Sequence, residues 1–168
     1  MSMHQILADV AAAIAGVLER ELPQVGKDWW QSCVVDRLSI QQQRLVSDRR
    51  VDSLAGLDLA GLLRVFDQNW NPLGYRLNLD QQTRNWLKEA QGIRNRWAHL
   101  PPGGLRSEDA YRDVDTLYRL LGVLGADQVT LDRAQAERGR VLGELAPRPK
   151  IDDVAAPVAQ VRGGISKG

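Results

Sequence analysis

The segment DQQTRNWLKEAQGIRNRWAHLPPGG occupies residues 80–104 and carries the best-defined helical pattern in the chain. Its apolar residues recur at intervals of four, three and four positions, which is typical of one face of an α-helix; they are Trp86, Ala90, Ile93 and Trp97. Asp80 is a favourable N-cap, and two prolines and two glycines follow the last residues of the pattern. The segment therefore predicts a helix over residues 81–99 that ends in Arg-Asn-Arg-Trp-Ala-His.

Helical periodicity also marks the sequence on both sides of this segment. The pattern predicts further helices over residues 3–22, 27–38, 59–70, 108–124 and 131–145. Asp58, Ser107 and Thr130 are the expected N-caps of the last three, and Asn71-Pro72 is expected to end the third. Residues 39–57 are polar, and we expect them to be mostly irregular or weakly helical.

No strand pattern interrupts these helices, so the sequence predicts an all-α bundle of about five to six helices. We expect this domain to span residues 1–145. Residues 146–168 contain three prolines among alanine, valine and glycine, which is typical of a linker or tail.

The composition excludes several classes of protein. A formal charge of +1 over 168 residues gives no strongly basic field, although it is compatible with a local basic patch. The single cysteine, Cys33, excludes an internal disulfide framework and a cysteine-based zinc site. No stretch approaches the roughly 20 apolar residues that span a bilayer. We therefore expect a cytoplasmic protein with no membrane association.

The end of the predicted helix at residues 94–99 gathers most of the plausible chemistry. In an ideal helix Asn95 lies directly below His99, whereas Arg94 and His99 are about 140° apart. Arg94 and His99 therefore converge only if the last turn unwinds or if a second chain contributes its own copies. A structural interpretation stays open, because arginine and histidine at a helix C-terminus also suit the negative end of the helix dipole.

An arginine, an amide and a histidine at one edge suit the cleavage of RNA. A histidine side chain exchanges protons near neutral pH, and an arginine stabilises charge on phosphoryl oxygens. The 2′-hydroxyl of RNA is itself a nucleophile, and no acidic cluster with metal-ligand spacing accompanies the motif. We therefore expect no metal and no cofactor.

Four blocks of sequence resemble the HEPN superfamily, in the branch often fused to ATPases or helicases in bacterial defence systems. The first is the motif itself, with Arg94, Asn95 and His99 in the positions of its arginine, polar residue and histidine. The others are residues 19–30, 58–71 and 107–116, in the order that this branch has them, and the resemblance spans about residues 5 to 145.

The resemblance implies a homodimer in which two motifs face each other and cleave RNA without metal, as in toxin–antitoxin and antiviral defence systems. Arg94, Asn95 and His99 would then be catalytic: His99 as general acid or base, Arg94 stabilising the phosphate and Asn95 positioning either group. Arg96 would bind substrate. The alternative is a non-catalytic HEPN module that dimerises or recruits an ATPase, a helicase or a nuclease partner.

Overall fold

The computed structural model describes residues 2–146, and every regular element in that range is helical. The α-helices are α1 (Met3–Glu21), α2 (Ile40–Asp48), α3 (Leu59–Gln68), α4 (Trp70–Leu77), α5 (Gln81–Ala98), α6 (Ser107–Val123) and α7 (Gln128–Leu145). The predicted all-α class is confirmed, with seven α-helices in this range instead of five to six.

Helix α1 forms the centre of the bundle. Its apolar residues recur every three or four positions, and Ile6, Val10, Ile14 and Leu18 are completely buried. This face packs against α3 and α6, and α5 packs against both of those helices as well. Helix α7 pairs with α6 on the outside. The helix that carries the motif is therefore fixed on two sides.

The segment between α1 and α2 is helical but not α-helical, which corrects the helix expected over residues 27–38. It forms a π-helical turn at Trp30–Val34 and a 3₁₀ turn at Val35–Arg37. The buried Asn69 side chain explains part of this geometry, because its amide donates to the Cys33 carbonyl at 2.9 Å. A side chain from another element thus occupies a carbonyl that a regular helix would use internally.

Residues 40–48 form helix α2, where the sequence predicted mostly irregular or weakly helical structure. Ser39 and Gln42 make a complete capping box: Ser39 Oγ accepts from the Gln42 N–H, and Gln42 Oε1 accepts from the Ser39 N–H. None of the residues of α2 is buried, so it has no apolar face for a periodicity argument to find. The Ser39/Gln42 capping box was the sequence feature that could have predicted this helix.

The predicted break at Asn71-Pro72 is wrong, because the chain bends earlier, at Asn69. Helix α3 ends at Gln68, and Pro72 lies in the first turn of a separate helix, α4. A proline is tolerated there because the first N–H groups of a helix have no partner within it. Asn69 stabilises the junction by donating to the Val65 carbonyl as well as to Cys33.

Two of the predicted N-caps are also wrong. Arg106 occupies the N-cap position of α6, so Ser107 is the first residue of that helix. Asp127 caps α7, and Thr130 donates its N–H to the Asp127 carboxylate at 2.7 Å instead of acting as the cap. Asp127, three residues upstream of Thr130, is an equally good N-cap acceptor, and the sequence pattern does not distinguish between the two.

Helix α7 ends at Leu145, the predicted end of the domain. Apart from Ala146, the linker or tail predicted for residues 146–168 lies outside the described residues. Among residues 2–146, no helix is both long and apolar enough to cross a membrane.

We predict that Asn69→Ala lowers the free energy of unfolding by about 2 kcal/mol, because it leaves the buried Cys33 carbonyl without this partner. Urea titration followed by circular dichroism measures the change. Asn71→Ala, at an exposed position of α4, is the matched control and should be nearly neutral. Equal effects of the two substitutions would contradict the role given to Asn69.

Candidate active site at the end of helix α5

Helix α5 begins at an aspartate cap, as predicted, and ends immediately before His99. Asp80 Oδ1 accepts from the N–H and the hydroxyl of Thr83, each at 2.9 Å, and these bonds lower the pKa of the Asp80 carboxyl. At the other end, His99 has φ −128° and ψ 49°, and its N–H donates to the Arg96 carbonyl at 3.2 Å. The last turn therefore opens at His99, before Pro101.

The loop after the motif returns the chain along α5. Gly103 and Gly104 have φ values of 96° and 76°, which glycine adopts without steric cost. The Gly104 N–H donates to the Pro101 carbonyl and closes this turn. Helix α6 then packs against α5. This return brings residues of α6 beside the motif.

The buried side of α5 differs slightly from the predicted one. Ala90 and Ile93 are buried as expected, together with Thr83 and Leu87. Trp86 and Trp97 are only half-buried and pack at the edge of the core. The core-facing line therefore follows smaller side chains, and the two tryptophans cover its flank.

One buried carboxylate of α6 binds two consecutive side chains of the motif. Asp113 is 3% exposed; its Oδ1 accepts from Arg96 Nη2 at 2.5 Å, and its Oδ2 accepts from Trp97 Nε1 at 3.0 Å. Buried carboxylates need partners of this kind, because desolvating an unpaired charge is costly. Asp113 thus fixes the last turn of α5 against α6.

Asp113 is not among the residues that the sequence predicts for the site. The available signal was its position: it lies one turn before Leu117, on the inward face of α6, where an unpaired acidic residue is rare.

Arg94 and Asn95 lie on the other side of α5, towards α3. Arg94 Nη1 donates to Asn95 Oδ1 at 3.1 Å, and Gln91 Nε2 donates to the same oxygen at 3.2 Å. Arg94 Nη2 also lies 4.0 Å from Oδ2 of Asp58, the N-cap of α3. The structure therefore brings Arg94 and Asn95 together in an exposed hydrogen-bonded group.

His99 is exposed beyond the last turn, one helical turn past Asn95. Within residues 2–146 its imidazole makes no hydrogen bond, and none joins it to Arg94. Both ring nitrogens of His99 are therefore without a hydrogen-bond partner among the described residues.

Arg96 does not join the group formed by Arg94 and Asn95. Its guanidinium pairs with Asp113 on the opposite flank, with 49% of the side chain still exposed. Substrate binding by Arg96 stays a prediction, and the ion pair is a competing use of the same guanidinium. Across the part of the chain that the structure describes, no group of three or more His, Cys, Asp or Glu side chains is arranged to hold a metal ion.

The all-α bundle that carries the motif at the end of α5 is a fold of the HEPN class. The family model described as Swt1-like HEPN matches residues 5–125, which include most of α1, all of α2 to α6 and the whole motif. The chain therefore belongs to the Swt1-like HEPN family. No curated protein and no solved structure matches the chain.

We predict that Asp113→Ala lowers the free energy of unfolding by about 3 kcal/mol, because it leaves Arg96 and Trp97 without their shared acceptor. Chemical denaturation of the purified protein measures this loss. Asp132→Ala, which removes an exposed carboxylate from α7, serves as control and should change stability by about 0.5 kcal/mol or less. An Asp113→Ala variant with wild-type stability would contradict the structural role given to Asp113.

Proposed function

We propose that this chain is a metal-independent endoribonuclease of a bacterial defence or toxin-type system, and that it acts through Arg94, Asn95 and His99 at a dimer interface. The single observation that carries the proposal is the division of the motif between two sides of α5. Asp113 holds Arg96 and Trp97 against α6, while Arg94, Asn95 and His99 lie outside this contact and stay accessible. The three groups that RNA cleavage uses are therefore presented from a fixed helix end.

The reaction needs two proton transfers and no nucleophile from the protein. The ribose 2′-oxygen loses its proton to a base and forms a bond to the adjacent phosphorus. The bond from phosphorus to the 5′-oxygen breaks, and an acid protonates the departing oxygen. The products are a 2′,3′-cyclic phosphate and a free 5′-hydroxyl, and His99 supplies one of the two proton transfers.

The other polar groups suit the charge that develops on the phosphate. Arg94 is positioned to donate to the non-bridging oxygens, where paired charged hydrogen bonds stabilise the transition state. Asn95 fixes the direction of the Arg94 guanidinium by accepting from its Nη1. The Asn95 amide N–H groups are then available to a substrate oxygen or to the His99 ring.

A second copy of the chain would supply the second imidazole. The other histidine of the chain, His4, lies on α1, so one chain offers a single histidine at the motif. In a symmetric dimer with facing motifs, one His99 acts as base and the other as acid. We further propose an associated or fused ATPase or helicase as a partner, as the resemblance to the defence-system branch of the HEPN superfamily implies.

We predict that His99→Ala reduces RNA cleavage by a factor on the order of 10² to 10⁴, since it removes the general acid or base. The measurement is cleavage of labelled RNA in the presence of a metal chelator, with circular dichroism to verify folding. His4→Ala removes the other exposed histidine and should retain full activity.

The same assay can be repeated with a chemically modified substrate. Replacing the ribose at the cleaved linkage by 2′-deoxyribose should block the reaction, because the nucleophile is then absent. Unchanged cleavage by His99→Ala, or cleavage only with added metal, would contradict the mechanism. A folded wild type that cleaves no RNA would favour the non-catalytic dimerisation module.

Mixing wild type with the His99→Ala variant tests whether the site is shared between copies. If one cleavage uses both His99 side chains of a dimer, mixing equal amounts under subunit exchange leaves roughly a quarter of the activity of the same total amount of wild type, because only dimers of two wild-type chains keep both imidazoles. Activity of about half, with mixed dimers verified by mass, would show that each chain acts with its own His99 alone.

A further inference from the structure

A groove follows the line where α3 and α5 meet, here called the α3–α5 seam. The groove has a volume of about 440 Å³, and its floor is formed by Ala60, Leu63 and Leu87. Polar side chains form its walls, among them Gln42, Arg64, Gln68, Lys88 and Gln91. Its size and its apolar floor with a polar rim are typical of a small-ligand site.

The two basic side chains of this groove are available to an anion. Arg64 Nε donates to the Arg37 carbonyl at 2.8 Å, which orients the guanidinium and leaves its two Nη groups uncommitted. Neither Arg64 nor Lys88 forms an ion pair with a carboxylate anywhere in residues 2–146. The one carboxylate in the groove, Asp67, is paired with Arg84 at 3.1 Å. The groove is therefore net positive.

A second cavity continues the groove away from the motif. It has a volume of about 460 Å³ and shares Asp67 and Gln68 with the first. It adds Arg37 and the ring of Trp70, over which the Arg84 guanidinium lies at 5.5 Å. Cationic and aromatic side chains alternate along such surfaces in proteins that bind single-stranded nucleic acid.

The seam leads directly to the motif through one hydrogen bond. Gln91 lines the groove and donates to Asn95 Oδ1, the oxygen that also binds Arg94. Arg84 and Asn95 are 11 positions apart on α5, which corresponds to about 16 Å. That length accommodates about five nucleotides at a stacked spacing of about 3.4 Å.

The opposite flank of α5 has the opposite electrostatic character. A cavity of about 340 Å³ lies there, between α5 and α6. It is lined by three carboxylates and two guanidiniums, those of Glu89, Asp109, Asp113, Arg96 and Arg112. A polyanion is therefore attracted to the α3 side of the helix and not to the α6 side.

We infer that a single strand of RNA runs along the α3–α5 seam, with phosphates on Arg64 and Lys88 and its bases over the apolar floor. The glutamine amides of the walls are donors and acceptors for base edges. This inference rests on the proposed function, because it assigns the path of the strand that the motif cuts. It makes the seam the binding surface for nucleotides next to the cleaved linkage.

Fluorescence anisotropy tests this path with a labelled single-stranded RNA of mixed sequence, on the order of 12 nucleotides long. The measurements use the His99→Ala protein so that the RNA stays intact. Adding Arg64→Gln and Lys88→Gln together should weaken binding about tenfold and lower the slope of log Kd against log salt by about 1.4, or 0.7 for each phosphate contact.

Two further variants serve as a control on the opposite flank and as a charge reversal within the groove. Arg112→Gln removes an exposed arginine from the opposite flank and should leave affinity and salt slope unchanged. Lys88→Glu, at an exposed helical position, should weaken binding more than Lys88→Gln and cannot act by disturbing the core.

The results separate this inference from the proposed function. Seam-dependent binding with no cleavage by the wild type would support the path and remove the nuclease. Cleavage with equal binding by the double variant and Arg112→Gln would support the nuclease and overturn the path. Absence of any RNA binding would also overturn the path.

Discussion

At the end of α5, two neighbouring donors meet one buried carboxylate, that of Asp113. The interaction satisfies both oxygens of a side chain that is 4% exposed, and it does so with a guanidinium and an indole N–H that follow each other in sequence. A charge buried this deeply is tolerated only with such complete pairing. Because both donors belong to the last turn, the pairing fixes the rotation of that turn about the helix axis as well as its position.

That rotation decides which side chains of the motif are accessible. Successive residues of an α-helix are about 100° apart, so residues 96 and 97 are centred about 160° from the mean direction of residues 94 and 95. Because Arg96 and Trp97 are anchored to α6, Arg94 and Asn95 are turned towards α3. His99 is exposed beyond the last turn. The rotation of α5 that packs Arg96 and Trp97 against α6 also leaves the other motif side chains accessible.

The features that the sequence predicted well are those that depend on local pattern. The Asp80 cap, the burial of Ala90 and Ile93 and the helix end before Pro101 all follow from spacing and capping within α5. Helix α2 was missed because it has no buried face, and Asp113 was missed because its partners lie 16 and 17 positions away. Its periodic position marks Asp113 as inward-facing, but periodicity does not show which donors on α5 an inward carboxylate meets.

The contact between Arg94 and Asp58 is loose enough to be compatible with the role proposed for Arg94. Asp58 is itself held in place, because its Oδ1 caps α3 by accepting from the Gly61 N–H at 2.8 Å. Its Oδ2 lies 4.0 Å from Arg94 Nη2, and exposed ion pairs of this length contribute about 0 to 1 kcal/mol. A phosphate that offers two oxygens to the guanidinium competes easily with so weak a partner. Asp58 therefore leaves Arg94 free for the role proposed for it, whereas the short pair to Asp113 holds Arg96 against α6.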